Sequence, residues 1–248
     1  MVAPSVVAVV SDSDRTPLMR SELSLVPVAV DGLTDLLYRT VAVGYVAAEG
    51  VAAQEAWERL RLVTSGPIVT RAMARSVGLC VGALRHLRGI RRPTTGARTL
   101  VVGARDAAAL TPVLFQCGLT EVALWNVEDE RWLPLRTAVR DADVVIDLAG
   151  VADRPEIRED CAEGAVVAAN RLDPDRVIAP GLLAGLAEAG ATRRDLDHAL
   201  LRECVSTLLQ TTGPLTWPDA LTEPGVAVAL RRGVAEAVVL RRLAGGPG

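Results

Sequence analysis

The sequence predicts an α/β protein built on parallel, doubly wound sheet, and three observations carry that expectation. Short β-branched runs alternate with segments of helical spacing along most of the chain, the pattern that parallel strands joined by crossover helices require. One run, Thr99–Val102, is followed at once by Gly103 and then by a helical segment, the setting in which a strand-to-helix turn receives phosphate groups. Half of the 248 residues are hydrophobic but only 3% are aromatic. A core that takes roughly 70–75% of the surface out of water must then be assembled from Val, Leu and Ala.

Taken in order, Ser5–Val10 is a β-branched run ending in the polar stretch Ser11–Arg15 and reads as a buried strand. Leu23–Val30 is a second strand, and Pro27 argues for an edge position or an early end. Thr34–Tyr38 and Val51–Leu62 have helical character, and Thr70–Leu87 repeats apolar residues at helical spacing. The Arg-rich, Pro-containing stretch Arg88–Gly96 is the first domain boundary. Beyond it come the strand Thr99–Val102, a helix over Ala107–Cys117, and strands at Glu121–Asn126, Asp143–Leu148 and Ala165–Ala169. Asp195–Leu209 and Gly225–Leu243 read as two helices separated by a loop carrying Pro214, Pro218 and Pro224. The expected organisation is an α/β domain over 1–92, a Rossmann-type domain over 96–213, and a segment 214–248 that packs back on the first domain.

Composition excludes several classes. Net charge is −3 at pH 7, so no global field favours nucleic acid. Two histidines, His86 and His198, and four scattered cysteines, Cys80, Cys117, Cys161 and Cys204, offer no zinc spacing, so no metal site is expected. Reduced thiols, no basic leader before the apolar start, and no uninterrupted apolar run of spanning length point to a cytoplasmic protein without a membrane segment. All 27 basic residues are arginine and none is lysine.

The turn Gly103-Ala104-Arg105-Asp106 carries the cofactor expectation. Its glycine suits a dinucleotide loop, but Arg105 stands where a second glycine lets the backbone approach the pyrophosphate. Asp106 would cap the helix and repel phosphate, while Arg105 could pair with it. Asn126, at the end of the next strand, takes the ribose-reading position, and Asp147 ends a later strand at the carboxyl edge where ligands sit. Arg71 and Arg75 lie one helical turn apart and share a face that could receive an anion.

Several fragments, in order, resemble the shikimate dehydrogenase family. The Gly103 turn resembles that family's G-A-G-G-A-A; Glu121–Asn126 resembles its strand ending in Asn-Arg; Ala142–Asp147 resembles its A-D-[LIV]-[LIV]-[IV]-N. Arg15–Arg20 resembles its S-L-S-P-x-M-H-N loop, with Asp14 and Thr16 in the register of the two serines that hold substrate carboxylate. Leu200–Glu203 through Thr212-Gly213 resembles M-L-x-x-Q followed by T-G, with Glu203 at the substrate-binding glutamine. Glutamyl-tRNA reductase and ornithine cyclodeaminase have similar nucleotide domains but fit the chain's two ends less well.

The resemblance implies a two-domain fold, NADP or NAD as cofactor, and a small-molecule substrate in the interdomain cleft. It also implies a catalytic lysine near Thr40–Ala48 and an aspartate near Ala74–Leu79, a pair that exchanges the hydroxyl proton during hydride transfer. This chain has no lysine, and Arg75 stands in the aspartate register. The expectation is therefore an oxidoreductase by descent with altered substrate. Tyr45, Arg75 and Glu203 are the catalytic candidates, Gly103, Ala104, Arg105, Asp106, Asn126 and Asp147 the cofactor residues, and Asp14, Thr16 and Glu203 the substrate residues. The alternative is a non-catalytic paralogue that binds a ligand or serves as a partner subunit, with a homodimer or a protein partner open. An ATP-using, E1-like Rossmann protein is a third class, but its acidic residue at the end of the second strand is here Asn126.

Overall fold

A computed structural model describes residues 6–10, 24–28, 41–48, 50–151, 154–162, 165–212 and 217–245. Asp14 and Thr16, and the helical segment expected at Thr34–Tyr38, lie outside the described residues.

Among the described residues, two four-stranded sheets, parallel throughout, form the frame. The first holds β1 (Val6–Val10), β2 (Ser24–Val28), β3 (Val41–Val46) and β4 (Ile68–Thr70), in the order β2-β1-β3-β4. Pro27 sits in β2, at the end of the strand order, the position in a sheet where proline is tolerated. The second sheet holds β5 (Arg98–Val102), β6 (Glu121–Trp125), β7 (Val144–Asp147) and β8 (Val166–Ala168), in the order β6-β5-β7-β8. Both orders reverse direction beside their first strand, so each sheet has a switch point where loops diverge and a crevice opens.

The helices are α1 (Gly50–Val63), α2 (Arg71–Gly89), α3 (Leu110–Gln116), α4 (Leu135–Arg140), α5 (Pro155–Asp160), α6 (Pro174–Val177), α7 (Ala179–Glu188), α8 (His198–Thr211) and α9 (Pro224–Leu243). Alternation along the strands sorts the apolar residues by face. Val46, Ala48 and Ile68 meet Ala56 and Leu60 of α1, whereas Leu100, Val102, Trp125 and Val145 meet Leu135 and Val139 of α4. The opposite faces of both sheets share one core. Val43, Tyr45 and Val69 of the first sheet and Val101, Val144, Ile146 and Val167 of the second all join it.

The helix α2 fills the middle of that core, which is why every residue from Val77 to Leu84 is apolar and buried. Thr70 caps it, accepting from the Met73 amide at 3.2 Å. Gly78 and Gly82, one turn apart, let it approach the chain around β8. A Cβ on Gly78 would come within 2.4 Å of Leu172 Cδ2, and one on Gly82 within 2.7 Å of Val167 Cγ1. At one end of α2, Arg71 reaches Asp175, beyond the carboxyl end of β8. At the other, His86 is influenced by Asp143, just before β7 begins. The amino end of α2 thus lies at the carboxyl ends of the strands in both sheets.

The last helix, α9, packs on α7 and α8. It lies close to α7 because Gly181 and Gly185 carry no side chain there. A Cβ on Gly185 would meet the Arg231 carbonyl oxygen at 2.5 Å.

Candidate functional site

At the carboxyl end of the first sheet, three side chains from distant parts of the sequence converge. Tyr45, next to last in β3 and fully buried, donates its hydroxyl to Asp175 Oδ1. Arg71, the first residue of α2, donates Nε to the same oxygen at 3.1 Å and an Nη to Asp175 Oδ2. Asp175 is buried, and its own amide donates to Asp173 Oδ1 at 3.2 Å, the capping bond that starts α6. The carboxylate therefore has three donors, two of them on the fork of one guanidinium, the arrangement that makes a buried charge tolerable.

Burial, followed by the neighbouring Asp175 carboxylate, pushes the Tyr45 phenol well above its usual value, with Arg71 opposing only in part. At neutral pH the phenol keeps its proton. It is fixed as a donor to Asp175 and is a poor acid or base. Beyond α6, a groove of about 330 Å³ is lined by charges of both signs, among them Arg171, Asp173, Arg176 and Glu223. That volume is at the lower end of small-molecule sites.

At the second sheet's switch point, Gly103 takes φ 84°, a conformation that favours glycine. A Cβ there would stand 3.0 Å from the Ala149 amide nitrogen, so the β5 and β7 loops touch across the crevice. A 3₁₀ turn over Ala104–Asp106 follows, and α3 begins only at Leu110. The sequence places the helix start near Ala107; the structure moves it three residues on. The helix amides that would face a pyrophosphate are thereby displaced from the glycine.

The Arg105 amide donates to Asn126 Oδ1 at 3.2 Å, and the Arg105 guanidinium pairs with Glu128 at 2.9 Å on the surface. Asn126 caps the next turn, its amide donating to Asp129 at 2.8 Å. Asp147 is buried and accepts from the Ala149 amide at 3.0 Å, closing its own turn. Gly103 keeps the cradle of a dinucleotide loop. The groups that should reach phosphate and ribose bind one another instead, so the residues do not fit a pyrophosphate held in the usual manner.

The remaining candidates separate. Arg75 stands one turn along α2 from Arg71 and is half-buried. Glu203, on α8, pairs with its neighbour Arg202 at 2.5 Å and acts electrostatically on Cys117. Cys117 caps the far end of α3, away from Gly103. Glu203 is therefore not gathered with Tyr45 or the glycine turn. Among the described residues no group of three or more His, Cys, Asp or Glu could hold a metal ion, and no helix is long and apolar enough to cross a membrane. Sequence reasoning missed Asp175. Asp173-Pro174-Asp175 reads as a helix start, which it is, but nothing local signals a partner 104 residues away at Arg71.

No protein-family model matches the chain, and no curated protein matches it in sequence. Solved structures do match it. The malic enzyme of Pyrococcus horikoshii superposes with a TM-score of 0.69 at 14% identity, over 96% of this chain and 77% of that one. The malic enzyme of Entamoeba histolytica gives 0.71 at 14%, over 96% and 70%. The NAD-dependent malic enzyme of Thermotoga maritima gives 0.67 at 14%, over 94% and 84%. These neighbours support the dehydrogenase-like Rossmann frame that the resemblance implied and do not single out shikimate dehydrogenase. The chain has a dehydrogenase-like Rossmann fold of the kind seen in malic enzymes.

Proposed function

We propose that the protein is an oxidoreductase by descent whose cleft binds a small molecule without nicotinamide-dependent hydride transfer. The observation that carries this reading is the closed glycine turn. Arg105 occupies the position needed for phosphate approach, its amide is bonded to Asn126, and the helix start has moved to Leu110. The absence of lysine and the buried, proton-retaining Tyr45 agree with it, since the lysine that the resemblance implies is missing and the Tyr45 phenol keeps its proton at neutral pH. Calorimetric titration with NADH and NADPH tests the reading. The expected result is no heat of binding, and micromolar affinity, about −8 kcal/mol, would overturn it.

A second reading is a working dehydrogenase for a hydroxy acid. It is favoured by the solved neighbours, one of which is described as an NAD-dependent malic enzyme. The Arg105–Glu128 pair is exposed, so a phosphate could displace it at little cost. Turnover of NAD or NADP with malate or shikimate, followed by nicotinamide absorbance, separates the two readings.

A further inference from the structure

We propose that two copies of this chain dimerise through the outer face of α9, crossing antiparallel. The inner face of this helix is spent on α7 and α8 through Val226, Leu230, Val234 and Val238. The outer face should be polar in a helix that ends at solvent. Beside the exposed Arg232 and Glu236 it presents Val228, Val239, Leu240 and Leu243, with Leu243 at 79% and Val228 at 68% exposure.

The order of residues on that face points to a second copy as the occupant. Val228, Arg232, Glu236 and Leu240 follow one another at intervals of four and form a single ridge, apolar at both ends and oppositely charged in the middle. Read backwards the ridge is Leu, Glu, Arg, Val. An antiparallel copy therefore sets Val228 against Leu240 twice and Arg232 against Glu236 twice. Such a row is inclined about 26° to its axis, so two of them align when the helices cross near 50°, the commonest packing of helices. The contact is isologous and closes on itself.

In the single chain Arg232 Nε already donates to Glu236 at 2.7 Å, so both charges have partners before association and can be shared across the two-fold. A surface groove of about 430 Å³ lies beside the ridge, lined by Glu188, Val228, Arg231, Arg232, Ala235 and Glu236.

The test is molecular mass in solution, by sedimentation velocity across micromolar concentrations, on the full chain and two variants. Wild type is expected to dimerise. Arg232→Glu presents Val-Glu-Glu-Leu and Glu236→Arg presents Val-Arg-Arg-Leu. Each alone opposes like charges and should weaken self-association on the order of a hundredfold. An equimolar mixture of the two variants should restore dimers, because each ridge then complements the other. Both side chains are exposed, and unchanged circular dichroism checks that the variants fold. A monomeric wild type, variants that dimerise like wild type, or a mixture no better than its components would each overturn the proposal.

Discussion

Replacing Asp175 by asparagine keeps the side chain's shape and removes its charge, so it isolates what the ion pair contributes. In the native cluster the carboxylate accepts from Tyr45 and twice from Arg71. Asparagine can still accept from Tyr45, but its amide nitrogen turns a donor toward the guanidinium. Breaking a fully buried pair costs roughly 3–5 kcal/mol. The Arg71 side chain is 27% exposed and can recover part of its hydration, which brings the expected loss to about 2–3 kcal/mol. For a chain of this size each kcal/mol moves Tm by roughly 2–4 °C, so thermal unfolding should shift down by about 4–12 °C. Tyr45→Phe removes one hydrogen bond to a charged group and leaves Arg71 in place, for about 1.5–3 kcal/mol. The two changes share a partner, so their effects should not add. A loss below about 0.5 kcal/mol for Asp175→Asn, the size of a surface substitution, would refute the view that this cluster ties β3, α2 and α6 together.

The same cluster predicts an alkaline limb. The folded phenol of Tyr45 is raised above its unfolded value near 10, so the unfolded chain loses that proton first. Stability is present below the unfolded value and falls as pH climbs above it; urea midpoints across alkaline pH should decline in wild type and decline less steeply in Tyr45→Phe, where the buried thiols remain. At the acid end, burial alone would raise Asp195, but Arg242 and Thr192 outweigh it and hold the carboxyl below its usual value. That contribution is present above the ordinary carboxylate range and is lost as pH falls through the lowered value, so Arg242→Gln should lower stability near neutrality and flatten its loss in acid. Gly185→Ala would bring a Cβ to 2.5 Å from the Arg231 carbonyl oxygen and force α7 from α9, at about 1–3 kcal/mol. Gly225→Ala, with nothing within 4 Å, should be neutral or slightly stabilising by the same denaturation assay. Thiol labelling followed by mass spectrometry should modify Cys117 before Cys204. The Cys80 thiol beside Cys117 lowers it, whereas burial pushes Cys204 up to about 12.

The sequence by itself determined the elements whose signal is periodic. The strands around Val6–Val10, Thr99–Val102 and Val144–Asp147 are β-branched runs, and α1, α2, α8 and α9 repeat apolar residues at helical spacing. Pro27 pointed to an edge position or an early end for β2, because proline cannot donate within a sheet, and β2 takes the edge. Several elements were not assigned, among them β3, β4 and α7. Val41–Val46 is interrupted by Gly44, Ile68–Thr70 is too short to show a period, and Ala179–Glu188 has glycines where apolar residues would mark a face. Those glycines make sense only in three dimensions, where α9 passes within contact of the α7 backbone.

The glycine turn shows the same division for the site. Sequence revealed that Arg105 replaces a glycine, but only the tertiary structure bonded its amide to Asn126, 21 residues away, and set α3 three residues further on. Asp175 drew its meaning from Tyr45 and Arg71, 130 and 104 residues distant. Local chemistry writes periodicity, caps and turns into neighbouring residues. A buried charge and its partners are joined by the packing of two sheets around one helix, and no short stretch of sequence carries that.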